Sequence, residues 1–323
     1  MSALLTTSVG SFPKPEYLSR ARTKASKAAL SREGLRELEE KATAEWIRFQ
    51  EEIGIDILVD GEQYRGDMAT YFAENIEGTE ISGLVRSYGN RYYKKPIIVD
   101  ELRLRGPISV DWFKFAQSQT DRPVKGMITG PYTMMDWSFD EYYGSRADAC
   151  LAFAKLLHQE AVALEAAGAK VVQVDEPALS TRFDELPLLV KAVGSVTKGI
   201  EAKTVLHTCY GNYNEIFEYF NKLPVDQIDL EMSNSGLDLL DRFRREPLKK
   251  EIAFGVVDVH SHVIEPEALI RERIEKALAI FPPPQLFIDP DCGLKTRSVE
   301  EAKAKLRNMV AATRATRQAH GWT

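Results

Sequence analysis

Eight short apolar runs punctuate the chain: LLTTSVGS (4–11), DILVDGE (56–62), KGMITGP (125–131), KVVQVDEP (170–177), TVLHTCY (204–210), QIDLEMS (227–233), IAFGVVDVH (252–260) and QLFIDPDCG (285–293). Most are rich in Val, Ile and Leu, the pattern of strands buried on both faces. Amphipathic stretches lie between most of them. SREGLRELEEKATAEWIRFQEEIG opens on Ser31, a plausible N-cap, with Glu33 in the first turn. A capping box is not expected there, because Gly34 stands where its acidic residue would be. RADACLAFAKLLHQEAVALEAAGAK reads as a long helix closed by Gly168. PEALIRERIEKALAIF and SVEEAKAKLRNMVAATRATRQAH read as two more. Strands alternating with helices predict parallel βα units. Eight of them in this length predict an α/β fold of the (β/α)₈ TIM-barrel type, with a doubly wound open sheet as the alternative. The stretch from about 80 to 123 breaks the rhythm. There SYGNRYYKKPIIVDELRLRG reads as a hairpin-like insertion before the third strand. With no Pro/Gly/Ser linker, residues 1–323 read as one domain.

In a barrel, chemistry gathers where strands end and βα loops begin. The polar residues fall there: Ser11, Glu62, Asp175, Glu176, His207, Cys209, Glu231, Asp258, His260, Asp289 and Cys292. His207 and Cys209 share a strand face, being two residues apart. Glu231 and Cys292, each after its own strand, complete an N, S, O, S donor set that suits zinc. Two thiolates and a carboxylate outweigh Zn²⁺ by one unit of charge. Such a site is a poor Lewis acid but keeps a bound sulfur nucleophilic. The alternative for His207 and Cys209 is a buried thiol and a hydrogen-bonded core histidine. Cys150, on the apolar face of DACLAFA, reads as packing.

Glu62 and Asp175 suit the ammonium of an amino acid, and the Val9-Gly10-Ser11 turn suits its carboxylate. Glu176, before Pro177, reads equally well as a helix cap. His260 in DVHSH reads as a proton donor, or else as a structural histidine. Trp137 and Tyr132 follow the third strand, where an aromatic packs under a loop or stacks on a flat ligand.

Composition narrows the field further. A net charge of −6 argues against nucleic-acid and anionic-membrane partners. Three widely spaced cysteines make no disulfide framework and fit a reducing cytoplasm. MSALLTTSVGSFPKP lacks the basic start of a signal peptide, and no run reaches the roughly 20 apolar residues of a membrane span.

TTSVGSFPK, VDGEQYRGDMATYF, LVRSYGNRYYKKPII, KGMITGPYTMMDWSF, VVQVDEPAL, LHTCY, DLEMSNS, GVVDVHS and IDPDCGLKTR together resemble the C-terminal catalytic barrel of cobalamin-independent methionine synthase, nearly end to end. The resemblance implies a zinc-dependent transfer of a methyl group to L-homocysteine, giving L-methionine. It implies one zinc ion on His207, Cys209, Glu231 and Cys292. It implies homocysteine contacts at Val9, Gly10, Ser11, Glu62 and Asp175, a proton donor at His260, and donor contacts at Trp137, Arg91 and Tyr92. The family's large enzymes carry a second barrel that this chain lacks. An acidic residue that meets the pterin is Thr181 here, and a small Cys is Tyr92. These departures point to a methylated corrinoid, methylcobalamin free or on a protein, as the methyl donor, with 5-methyltetrahydropteroyltriglutamate as the alternative. Other readings are alkylation of another thiol such as coenzyme M, and a non-catalytic zinc- or corrinoid-binding protein.

Overall fold

The computed structural model describes residues 3–86, 92–180, 182–209 and 211–322. In chain order the strands are β1 (Ile76–Arg86), β2 (Tyr92–Leu104), β3 (Gly126–Thr129), β4 (Phe139–Asp140), β5 (Val171–Asp175), β6 (Lys203–Thr208), β7 (Gln227–Leu230), β8 (Glu251–Val257) and β9 (Leu286–Pro290). The helices are α1 (Glu16–Ser26), α2 (Arg32–Ile53), α3 (Met68–Ala73), α4 (Val110–Ser118), α5 (Pro131–Asp136), α6 (Arg146–Ala166), α7 (Leu186–Thr197), α8 (Tyr213–Phe220), α9 (Leu240–Arg245), α10 (Glu267–Leu278) and α11 (Val299–Ala319). Six strands make one sheet in the order β3-β5-β6-β7-β8-β9, so chain order and sheet order coincide. Every residue of β3, β5, β7 and β9 is buried, as the apolar runs require of strands covered on both faces. None of the helices among the described residues is long and apolar enough to cross a membrane.

Packing divides the chain into two compact units. The first holds residues 1–64, 112–125 and 229–323. Here β8 and β9 pair in parallel, Gly255 opposite Asp289, with an irregularity before Val257 and Pro290. The first two apolar runs depart from expectation. Instead of strands they make single parallel bridges, Thr6 to Ile288 and Leu58 to Val124. Backbone bonds still flank each bridge: Thr7 N donates to the Ile288 carbonyl and Ile288 N to the Leu5 carbonyl, and Leu58 N donates to the Pro123 carbonyl and Lys125 N to the Leu58 carbonyl. Asp56 Oδ2 accepts from Thr6 N and Oγ1 at 2.7 and 2.8 Å, and Gln50 bonds both the N–H and the carbonyl of Val59. The helix signals read from sequence are present in full. Ser31 caps α2 by accepting from Gly34 N, and α2 stops at Gly54, whose φ of +93° few other residues adopt. α11 opens on a reciprocal capping box between Ser298 and Glu301.

The second unit holds residues 65–111 and 126–228. Its parallel strands are β3, β5 and β6, with Thr129 opposite Asp175 and Asp175 opposite His207. α6 ends at Ala166, and Gly168 turns the chain at φ +104°. The expected insertion is an antiparallel hairpin of β1 and β2, with β4 running parallel on the outer side of β2. Gly78 carries its bulge: a Cβ there would lie 2.5 Å from the Glu101 carbonyl. The excursion begins at Ile76 rather than near 80, and its last part is not hairpin but α4. α4 forms because the buried Glu160 carboxylate accepts from Ile108 N, Ser109 N and Ser109 Oγ, satisfying donors just ahead of the helix.

Candidate active site

In the second unit, β5 ends on Asp175 and is followed by Glu176. Asp175 is 7% exposed, accepts from Gln173 Nε2 at 2.7 Å, and its carbonyl accepts from Gly130 N. Glu176 is fully buried and turned to a different task. Its carboxylate accepts from Tyr132 N, Thr133 N and Thr133 Oγ1 at 2.9, 2.7 and 2.6 Å. Those are donors in the first turn of α5, so Glu176 caps that helix from another segment. Burial pushes its carboxyl up to about 7, against the pull of the Thr133 and Tyr132 donors. The approach is close enough that a Cβ on Gly130 would lie 2.2 Å from Glu176 Cδ. Glu176 N also donates to the His207 carbonyl at 2.9 Å, fixing the neighbouring strand end. His207 lies in β6 and Cys209 just beyond it, 3% and 5% exposed.

In the first unit, the ends of β7, β8 and β9 are wired together. Glu231 follows β7 and is buried; its Oε1 lies 3.0 Å from His260 Nε2. That contact, ahead of the opposing burial, raises the imidazole's proton affinity above the usual histidine range. His260 N donates to Asp258 Oδ1 at 2.7 Å, an Asx turn that sets the ring's direction. Asp291 is buried between β9 and Cys292. Its two oxygens accept from Met232 N, Ser233 N, Asn234 N and Ser233 Oγ at 2.6–3.0 Å. It thereby fixes the loop that begins at Glu231. Burial pushes its carboxyl up to about 7. The Val9-Gly10-Ser11 turn is strapped to the segment after Cys292. Leu294 N donates to the Ser11 carbonyl at 2.7 Å, and a Cβ on Gly293 would collide with Ser11 Oγ. Glu62 sits at φ +53°, a conformation rare for a non-glycine residue. Its N donates to Asp60 Oδ1 and its carbonyl accepts from Lys14 Nζ.

His207, Cys209 and Cys292 form a group that could hold a metal ion, one ligand atom from each lying within 4.8 Å of the others. The donor chemistry, one imidazole and two thiols, fits zinc. Glu231 is not part of this group, and its Oε1 lies 3.0 Å from His260 Nε2. Cys150 lies on the buried face of α6, where burial raises its thiol far above the usual range.

Of the residues expected to meet the methyl donor, Tyr92 and Trp137 lie among the described residues. Arg91 and Thr181 lie outside the described residues. Tyr92, the first residue of β2, is 63% exposed. Trp137 closes α5 and is half-buried, its ring centroid 6.4 Å from that of Tyr93. Sequence reasoning did not single out Asp291, Glu265 or Lys305. Asp291 carried a local signal, since it adjoins Cys292 at a strand end. Lys305 carried none, being one of the two lysines in α11.

Solved structures place the fold first. A B12-independent methionine synthase from Shewanella sp. W3-18-1, solved with selenomethionine, matches with a TM-score of 0.90 at 30% identity, covering 98% of this chain and 99% of that one. The class is therefore the α/β fold of the TIM-barrel type. The model of the family described as "Cobalamin-independent synthase, Catalytic domain" matches residues 4–315, and the chain belongs to that family. The methionine synthase of Saccharolobus solfataricus is 39% identical over 317 residues, which is 98% of this chain and 95% of the relative. The 5-methyltetrahydropteroyltriglutamate–homocysteine methyltransferase of Streptococcus sanguinis is 39% identical over 328 residues, and there the chain spans 44% of the relative's length. The expectation of a methylated corrinoid donor is corrected here, because the family is the cobalamin-independent one.

Proposed function

We propose that this chain is a methionine synthase that transfers the methyl group of a 5-methyltetrahydropteroyl polyglutamate to L-homocysteine, with residues 1–323 acting as one zinc-dependent domain in the cytoplasm. The observation that carries the reading is the His207, Cys209 and Cys292 group in a chain of this family. Those three residues and Glu231 would hold the zinc. When bound, zinc supplies a site that keeps the homocysteine sulfur deprotonated near neutral pH. The folate donor is supported by the family's description and by the substrate that the Streptococcus relative's name states.

The protein's own groups supply the rest. Glu62 and Asp175 receive the substrate ammonium, and the Val9-Gly10-Ser11 turn receives its carboxylate, so the sulfur is presented in one orientation. Trp137 offers a ring face to the flat donor. The new S–CH₃ bond forms as the donor's N–CH₃ bond breaks, and the bonding pair stays on nitrogen. A folate amine leaves poorly unless that nitrogen is protonated. His260, whose proton affinity Glu231 raises, supplies the proton.

The test is an assay of zinc-loaded protein with homocysteine and each donor separately. Methionine should form with 5-methyltetrahydropteroyltriglutamate. Turnover only with methylcobalamin, or only with coenzyme M in place of homocysteine, would sink the reading.

A further inference from the structure

Lys305 is a buried cation that the reaction as described does not use. Its side chain is 0% exposed, in the middle of α11. An ammonium in such a place is tolerated only if its protons are all taken. They are. Nζ donates to the Asp258 carbonyl at 2.9 Å, to Glu265 Oε2 at 2.7 Å, and to the Val263 carbonyl. The other oxygen of Glu265 accepts from Asp258 N at 2.7 Å. One ion pair thus holds both the backbone N–H and the backbone carbonyl of Asp258.

Asp258 in turn accepts from His260 N, and His260 reaches Glu231. Every link is within one compact unit. The loop has further straps to the same helices. Asn308 Nδ2 donates to the Glu265 carbonyl at 2.8 Å, and Arg273 donates to the Val256 carbonyl at 2.7 Å. His262, though exposed, adds one more strap to α11, its Nδ1 lying 2.7 Å from Glu301 Oε1.

We propose that the buried Lys305–Glu265 pair is a positioning pair for His260, clamping Asp258 at both backbone atoms so that the imidazole is held at Glu231 and at the donor's leaving nitrogen. The proposal rests on the reading of His260 as proton donor. It predicts that the pair acts on the chemical step and not on homocysteine binding, since neither residue is near the Val9-Gly10-Ser11 turn in the hydrogen-bond chain.

The experiment pairs hydrogen exchange with kinetics on full-length zinc-loaded protein. Lys305→Met keeps the stem and removes the three donors. Amides of 258–263 should exchange at least about tenfold faster, with those of β8 and β9 unchanged. The kcat should fall about 10- to 100-fold, as for loss of a supporting partner, with homocysteine KM within about two-fold. In a His260→Ala background the same substitution should cost almost nothing more. Lys276→Met, which removes an exposed ion pair with Glu272 on α10, controls for charge and should change neither. Unaltered exchange at 258–260, or an equal kcat loss with and without His260, overturns the proposal. If Lys305→Met does not fold, Glu265→Gln serves. It keeps an acceptor for Asp258 N, and should give a smaller change in the same direction. A wild-type chain that makes no methionine from any donor would refute the proposed function, while the exchange arm would still decide whether the pair holds the loop.

Discussion

The ends of β5 and β9 carry the same kind of message and use it in opposite order. β5 ends on Asp175 with Glu176 next to it, and β9 ends on Pro290 with Asp291-Cys292 just beyond. In each pair one residue is filled by hydrogen-bond donors and the other is a candidate site residue. In β5 the first residue is the candidate substrate contact and the second the anchor. In β9 the first is the anchor and the second the candidate ligand. Both anchors are buried carboxylates saturated with donors: Glu176 on the start of α5, Asp291 on the loop that begins at Glu231. A carboxylate at a strand end is therefore not evidence of catalysis until its hydrogen bonds are counted. Where donors fill it, it is part of the scaffold that holds its neighbour still.

The sharpest way to break this division is at the ligand side. Cys209→Ser or Cys292→Ser should abolish methyl transfer and lower bound zinc, whereas Cys150→Ser should change neither. Metal analysis beside the activity assay checks all three, and zinc loss confined to the Cys150 variant would refute the assignment. A step down in size, Glu231→Gln should cost about 10- to 100-fold in activity or zinc affinity, because it weakens the partner of His260 while preserving shape. The anchors should behave otherwise. Asp291→Ala strands several buried N–H donors and should lower unfolding free energy by about 3 kcal/mol, with Glu176→Ala similar, in urea titrations. If either left stability untouched and removed only activity, the anchor role would be wrong.

The smallest effect concerns Glu39, a buried carboxylate that pairs with Arg22 and lies in the field of Lys14 and Arg36. Burial raises its carboxyl from 4.5 to about 7, outweighing Arg22. The folded state then holds the proton more tightly than the unfolded chain. Its contribution is full below about pH 4.5 and is lost as pH rises through about 7. The wild-type minus Glu39→Gln difference in unfolding free energy should fall across that window. A flat difference would mean that Arg22 compensates fully for burial.

Much of this was legible from residue order. Apolar runs of four to seven residues located six strands, because strands covered on both faces leave no polar period to hide them. The hairpin showed as a break in rhythm, and the cap of α2 showed in Ser31. The first two runs misled. Their composition is that of strands, but each pairs through a single bridge, and the side chains of Asp56 and Gln50 bond backbone beside it. The candidate ligands were readable because histidine and cysteine are scarce and their placement at strand ends is informative.

Sequence by itself thus pointed to the family, the α/β alternation and the His207, Cys209 and Cys292 group that could hold a metal ion, since these depend on identity and local spacing. Tertiary structure decided what each buried charge does. It gave Glu176 and Asp291 to backbone donors, Glu231 to His260, and Lys305 to the loop that carries His260. The reason is physical. A charge buried in protein must be met by partners, those partners come from segments tens of residues away, and no pattern of period two or 3.6 records them.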